Sequence, residues 1–300
     1  MHLKLLSALV ATSLGAAPAL AQELTGTLKK IKETGAVSLG HRESSVPFSY
    51  YDDRQQVVGY AMDLCARIVD RVKSELKLDK LETKLNPVTS ATRIPLMANG
   101  TIDLECGSTT NNLERQKQVA FTITHFVTAN RFVSKKSANL QTVDDLKGKT
   151  VVSTSGTTNI KQITEIGAQK GLNLNILAAK DHAEAFLMVE TGRAAAFVMD
   201  DILLFSLVAA SKSPKDYAIS NDALSVEPYG IMLRREDPSF KKVVDEAMIA
   251  TYKSGAINPI YEKWFLKPIP PKGINLNVPV SDAFKKVIAS PTDSGDPAVY

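Results

Sequence analysis

Apolar positions along the chain switch repeatedly between a helical and a strand-like period. From Tyr60 to Leu76, residues Cys65, Ile68, Val69, Val72 and Leu76 recur at helical spacing, one stripe facing a core. Ala36 to Gly40 and the alternating run Leu81 to Leu85 read as strands. A short helix is expected over Arg93 to Asn99, with Gly100 as its left-handed terminator. Strand Ile102 to Glu105 then runs into the polar cluster Cys106-Gly-Ser-Thr-Thr-Asn-Asn112. The same logic returns further on. A turn at Asp145 to Lys149 leads into strand Thr150 to Val152, and the polar loop Ser153 to Thr158 opens a helix from Asn159 to about Gln169. Leu174 to Leu177 reads as a strand and Ala183 to Glu190 as a helix closed by Gly192. Strand Ala194 to Val198 then leads to Met199-Asp200-Asp201. Short strands alternating with amphipathic helices predict an α/β architecture with largely parallel strands.

Two stretches share an order of helix, glycine, strand and polar residues: Ile94 to Cys106 around Gly100, and Phe186 to Val198 around Gly192. This repetition suggests two similar lobes, with polar residues at the carboxyl ends of strands, where open α/β sheets bind ligands. Ordinary αβ turns would explain the glycines as well. With no low-complexity linker, the chain must cross between lobes in ordered segments. The β-like runs Phe126 to Val133 and Val226 to Leu233 bracket the second unit and are the expected crossings. Helices are expected over Pro238 to Lys253 and Ala256 to Phe265, followed by a turn-rich tail from Pro268 that wraps the surface.

The N-terminus bears on compartment. Lys4, an apolar stretch from Leu5 to Leu20 and the small-residue pattern Ala19-Leu20-Ala21 read as a signal peptide over 1–21, cleaved between Ala21 and Gln22. Gly15 and Pro18 oppose the alternative of a core helix. The mature chain is therefore expected to be a soluble periplasmic protein. At 44% hydrophobic and 23% charged, it has material for a core. The formal charge of +4 comes from scattered rather than clustered cations, so no nucleic-acid footprint is read. The two cysteines, Cys65 and Cys106, lack CxxC spacing and suit either one disulfide or two buried thiols.

The sequence has no GxSxG elbow, P-loop, HExxH or GxGxxG after a strand; Gly148-Lys149-Thr150 resembles only the end of a P-loop. No cofactor or metal is expected. The remaining polar candidates suit a zwitterion carrying an extra negative charge. Arg93, with Ser90 beside it, either forks a carboxylate or is a solvated arginine near a helix cap. Ser155-Gly-Thr-Thr158 is either an anion site at a helix N-terminus or simple capping. Asp200, directly after a buried-type strand, needs a cationic partner, a ligand ammonium or a lysine. Arg42 follows the first strand and faces the same crevice, and His182 is a cap or a second cationic contact.

Together the strings Gly40-His-Arg-Glu-Ser-Ser-Val-Pro-Phe-Ser-Tyr-Tyr51, Thr92-Arg-Ile-Pro-Leu96, Glu105-Cys-Gly-Ser-Thr-Thr-Asn-Asn112, Thr154-Ser-Gly-Thr-Thr158, Ala179-Lys-Asp-His182, Met199-Asp-Asp201, Trp264-Phe and Pro268-Ile-Pro-Pro271 resemble the periplasmic glutamate/aspartate-binding proteins of polar-amino-acid ABC transporters, solute-binding protein family 3. The resemblance spans the mature chain. It implies a two-lobed, type II periplasmic binding protein fold, each lobe a mixed sheet flanked by helices, joined by a two-segment hinge. The first lobe would take 22–127, the second 128–225, and 226–300 would return to the first lobe and end in the tail. The implied ligand is L-glutamate or L-aspartate and the implied partner a membrane permease, with the protein expected to be a monomer. Arg93 and Thr158, with Ser155 and its neighbouring amides, would hold the α-carboxylate. Asp200, Ser108 and Thr110 would hold the ammonium; Arg42 and His182, supported by Ser90, would hold the side-chain carboxylate. Relatives pair the Cys106 position with a cysteine after the Tyr-Gly of the return crossing, where this chain has Ile231, so the resemblance leaves the pairing open. The competing expectation is an exported cyclohexadienyl or arogenate dehydratase-like enzyme on the same fold. A sensory domain would need a membrane span that the sequence lacks.

Overall fold

Two sheets, facing each other at their strand ends, carry the chain in the computed structural model, which describes residues 24–300. The signal peptide expected over 1–21 lies outside the described residues. Helix α1 (Gly26–Thr34) precedes β1 (Ala36–His41), and β2 (Ser44–Ser45), β3 (Ser49–Tyr51) and β4 (Val57–Val58) form a small antiparallel sheet. After them come α2 (Tyr60–Glu75), β5 (Glu82–Pro87), α3 (Arg93–Ala98), β6 (Leu104–Cys106) and β7 (Val119–Phe121). The next segment is β8 (Phe126–Lys135), β9 (Thr150–Thr154), α4 (Thr158–Gln169), β10 (Asn175–Ala179) and α5 (His182–Glu190). It continues with β11 (Ala196–Asp200), α6 (Asp201–Ala210), β12 (Tyr217–Ile219) and β13 (Ser225–Tyr229). The chain returns through β14 (Met232–Arg234), α7 (Pro238–Lys253), α8 (Ile257–Tyr261) and α9 (Asp282–Ala289).

The first sheet has the order β5-β1-β6-β14-β7 and the second β10-β9-β11-β8-β12, with β13 also on β8. In each, the strands built by αβ repetition are parallel: β1 with β5 and β6, and β9 with β10 and β11. The antiparallel members are those at the crossings. Strand β8 runs against β11, β12 and β13, and β14 runs against β6 and β7. A strand arriving from the other sheet enters at the ligand end and must run opposite to its neighbours, so both sheets are mixed. The passage from Phe121 to Phe126 is the first crossing and Tyr229 to Met232 the second.

The repeated unit keeps its conformation. Helix α3 precedes Gly100 (φ +80°) and β6, as α5 precedes Gly192 (φ +76°) and β11. Both glycines are left-handed, which removes the Cβ penalty of ending a helix this way. Helix α2 buries Tyr60, Ala61, Leu64, Cys65, Ile68 and Val72, the stripe read from the spacing except that Val69 is half-buried.

Three helices were not legible. In α6 nearly every residue is apolar, so no stripe marks it. Helix α1 is short and charged, and α9 sits behind a proline-rich stretch. The tail does more than wrap the surface: α9 buries Phe284 and Val287. Around the crossings an aromatic cluster forms, with ring centroids of Phe48 and Phe126 5.1 Å apart, Phe48 and Tyr229 5.2 Å, and Phe126 and Phe265 5.0 Å.

Cys65 and Cys106 form a disulfide with a Cα–Cα distance of 6.2 Å. The sequence left this pairing open. The bond ties α2 to the end of β6, where the Ser108 loop begins. The two residues are 41 apart in sequence, and closing a loop of that size is worth about 2–4 kcal/mol. Replacing both cysteines by serine should lower stability by about that amount in urea denaturation. Reductant should destabilise the wild type but not the variant.

Candidate functional site

The polar residues after the strands of both sheets converge on one small, tightly enclosed cavity. Ser90, Arg93, Ser108, Thr110, Thr158, His182 and Asp200 line it, all anticipated from sequence, together with Thr157, Asn159, Met199 and Leu203. All but Thr158 are buried. Arg42 stands one bond behind: its Nη2 donates to Ser90 Oγ at 2.8 Å. Ser155 is not brought to the cavity. It is half-buried and its N–H donates to Ala179 O at 2.9 Å; the cap of α4 is Thr157, whose Oγ1 accepts from Ile160 N. The turn is taken by Gly156 at φ +76°, where a Cβ would fall 2.5 Å from Ala91 Cα. Here the two sheets' loops touch backbone to backbone, which only glycine permits.

The dominant feature is a row of buried cations. Arg42, Arg93 and Arg115 are all within the protein, and only Arg42 and Arg93 were foreseen. Arg93 Nη1 donates to Thr109 Oγ1 at 2.5 Å and to Ser108 O at 3.4 Å, and Thr109 Oγ1 in turn donates to Glu105 Oε2 at 2.5 Å. Arg115 Nη1 donates to Thr110 O at 2.9 Å and Nη2 to Gly156 O at 3.3 Å, so one guanidinium bridges loops of both sheets. Burial, followed by repulsion from Arg93, lowers Arg42 to about 10 and Arg115 to about 9. Burial lowers Arg93 as well. All three stay protonated near neutrality.

His182 is the first residue of α5, behind its cap Asp181, and its Nδ1 lies 2.8 Å from Thr154 Oγ1. Burial, then Arg42 and Arg93, push its pKa well below the usual value. Without a ligand these effects favour the neutral ring, and the cap of α5 is Asp181 rather than His182. Four atoms around the cavity find no hydrogen-bond partner among the described residues: Arg42 Nη1, Arg93 Nε, Ser108 Oγ and His182 Nε2. Unpaired buried donors cost free energy, so such a set is the mark of a site shaped for a polar ligand.

Asp200 ends β11. Asn159 Nδ2 donates to its Oδ1 at 2.7 Å and the Tyr229 hydroxyl to its Oδ2. The sequence offered a lysine as one partner; the protein supplies an amide and a phenol, leaving the carboxyl uncompensated by any cation in contact. Burial, followed by repulsion from Glu227, raises Asp200 to about 7. Glu227, on β13, accepts from Thr158 Oγ1 at 3.1 Å, Gln162 Nε2 at 2.7 Å and Ser225 Oγ at 2.5 Å. The sequence reading missed Glu105, Thr109, Arg115, Asn159, Glu227 and Tyr229. Arg115 was concealed in the charged run Leu113-Glu-Arg-Gln-Lys117, which reads as solvated surface. Among the described residues no His, Cys, Asp or Glu group could hold a metal ion.

A two-lobed cleft lined in this way defines a binding protein for a small polar solute. The model for bacterial extracellular solute-binding proteins, family 3, matches residues 37–267, and the chain belongs to that family. It is 54% identical over 290 residues to an L-glutamate/L-aspartate-binding protein of Pseudomonas aeruginosa, covering 96% of each chain. It is 46% identical over 288 residues to the glutamate/aspartate import solute-binding protein of Escherichia coli, covering 96% of this chain and 94% of that one. Among solved structures, holo ArgBP from T. maritima is similar at 28% identity with a TM-score of 0.68, covering 79% of this chain and 98% of that chain. The fold is that of a type II periplasmic binding protein, and the protein is a solute-binding protein rather than an enzyme.

The ionisable groups predict an acid response. Burial lowers His125 to about 3 and drives His182 down, whereas both rings titrate near 6.5 when unfolded. Stability from these two is present above that value and is lost as pH falls through it. Asp200 acts in the opposite sense: its folded pKa is raised, so its cost appears as pH rises from about 4 to about 7. Asp200→Asn should therefore steepen the loss of stability on acidification across that window, measured by urea denaturation without ligand.

Proposed function

We propose that this chain binds L-glutamate or L-aspartate in the cavity between its lobes and delivers it to the membrane permease of an ABC importer in the periplasm. The observation that carries the reading is one cavity lined by Arg93, His182 and Asp200 from the two sheets, with Arg42 held behind Ser90. An α-amino acid with a second carboxylate matches that set of two cations, an imidazole and one acid. Its ammonium goes to Asp200 with Ser108 and Thr110, and its α-carboxylate to Arg93, which lines the cavity and keeps Nε without a partner among the described residues. Its distal carboxylate goes to Arg42 and His182, with Ser90 behind. Arg115, whose terminal nitrogens are taken by Thr110 O and Gly156 O, holds the loops of the two sheets together behind the cavity. Thr158, whose hydroxyl hydrogen is given to Glu227, offers the carboxylate its backbone N–H at the start of α4.

The printed names of the two relatives at 54% and 46% identity agree with this ligand class. The expected lobes, 22–127 with 226–300 and 128–225, shift by a few residues, since β8 from Phe126 and β13 up to Tyr229 both belong to the second sheet. Closure of one on the other completes the shell and creates the form a permease recognises. Among the described residues no helix is long and apolar enough to cross a membrane, which suits a soluble carrier released by cleavage near Ala21.

Calorimetry with glutamate, aspartate and glutamine tests the reading. Leaving Arg42 buried without its partner costs about 3–5 kcal/mol, so glutamine should bind on the order of hundreds-fold more weakly than glutamate. Glutamate and aspartate differ by one methylene, worth roughly 1–3 kcal/mol, and both should bind. Arg42→Ala should weaken glutamate far more than glutamine; equal losses would refute the side-chain role. The ammonium should also displace the proton that Asp200 holds below about 7. Affinity should then fall up to about tenfold per pH unit below that value. The binding enthalpy there should vary with the ionisation enthalpy of the buffer, as proton release requires.

A further inference from the structure

The family match ends at residue 267, yet the structure continues in order to Tyr300. Helix α9 anchors this extension by setting the Phe284 ring against Tyr261, Tyr252 and Phe126, at centroid distances of 6.0, 6.2 and 6.3 Å. Beyond α9 the chain runs along the crossings and the back of the ligand loop. Thr124 N–H in the first crossing donates to Thr292 O at 2.8 Å, and Thr124 Oγ1 lies 2.6 Å from the Tyr300 hydroxyl. Asn111 Nδ2 and Gln116 Nε2 both donate to Asp293 O at 2.9 Å. Gly295 lies so close to Asn112 that a Cβ would fall 2.7 Å from its carbonyl carbon.

The loop these residues hold is the one that presents Ser108 and Thr110 to the cavity. Its other edge is fixed by the second crossing, with Asn111 N–H donating to Pro228 O at 2.7 Å and Gly230 N–H to Thr109 O at 3.1 Å. The loop also sets Arg115, whose N–H donates to Asn112 Oδ1 at 2.8 Å and whose Nη1 donates to Thr110 O. Residues 108–112 have only one turn of helical structure after them, so without the second edge their carbonyls would be free to drift.

We propose that the segment Ser290–Tyr300 is a positioning strap: it touches no ligand, but it clamps the ligand loop through Asn111 and the first crossing through Thr124, and thereby sets ligand affinity. This rests on the reading that residues 108–110 contact the ligand. The strap differs from passive surface wrapping in one respect: its effect on affinity passes mainly through the loop it clamps at Asn111.

The test compares the full chain, a chain ending at Ala289, Gly295→Val, Asn111→Ala, and Asn111→Ala in the shortened chain. Glutamate affinity and dissociation rate are measured on each, with ligand-free urea denaturation as the fold control. Shortening the chain and Gly295→Val should each weaken glutamate by about tenfold or more, with most of the loss in faster dissociation. The losses from shortening and from Asn111→Ala should overlap rather than add, since they break the same clamp. Unchanged affinity in a folded shortened chain, or strictly additive losses, would overturn the strap. If the shortened chain does not fold, Gly295→Val and Asn111→Ala decide by the same affinity criterion. A wild-type chain that binds neither glutamate nor aspartate would instead refute the ligand reading and leave the two failures distinct.

Discussion

Three guanidiniums buried around one small cavity set the problem that much of this structure solves. Placing like charges out of water is costly, and that cost is met only where each has hydrogen-bond acceptors and opposing charge nearby. The protein provides them mainly from backbone: the carbonyls of Ser108, Thr110 and Gly156 take guanidinium donors, and Glu105 reaches Arg93 through Thr109. Carbonyls work as acceptors only if the loops bearing them stay still. The loop after β6 is held accordingly, by the disulfide at Cys106, by pairing of Met232 with Glu105, by the second crossing and by the tail. Rigidity far from the ligand thus follows from charge burial at the ligand.

Tyr229 joins that rigid loop to the moving part. Its backbone bridges Thr110 and accepts from His125 N–H at 2.8 Å, and its ring packs on Phe48 in the aromatic cluster. Its hydroxyl donates to Asp200 on the second sheet. One residue therefore touches the loop after β6 in the first sheet, the aromatic cluster at the crossings and Asp200 in the second sheet. Glu227, two residues earlier on the same strand, holds Thr158 and Gln162 of α4. Any rotation about β13 must shift both contacts together, so the geometry at the hinge and the geometry of the site are coupled through short hydrogen bonds rather than through a long pathway.

How much of this the sequence disclosed depended on whether local pattern or distant contact determined the answer. The Cys65 to Leu76 stripe, the glycines at 100 and 192 and the helix from Pro238 to Lys253 were legible because period and terminator lie within the element itself. Helix α6 was not, because burial on all sides erases its period. Seven cavity-lining residues were found because each follows a strand, whereas Arg115 lies in a charged turn and Glu227 within a strand, where nothing local marks them. The disulfide partner was ambiguous for the same reason: only the docking of α2 on β6 brings Cys65 within reach. His182 lines the cavity where the sequence put it, but a lone histidine in sequence carries no record of the arginines that act on its charge.

On the proposed function, the effects that favour a neutral His182 bear on how the site would discriminate between ligands. A permanently charged third cation beside Arg42 and Arg93 would add repulsion in the absence of ligand without adding a new direction of hydrogen bonding. A neutral ring held at Nδ1 by Thr154 leaves Nε2 as a directional contact, free of any protein partner. When a carboxylate enters, its charge favours the protonated ring and offsets the field of the two arginines. The site can then strengthen its grip as the ligand arrives, instead of maintaining that strength against itself beforehand. A neutral amide such as glutamine brings no such charge. On the same proposal it would leave the arginines uncompensated and the imidazole neutral, so the ring and the two guanidiniums would act together against it through one electrostatic effect.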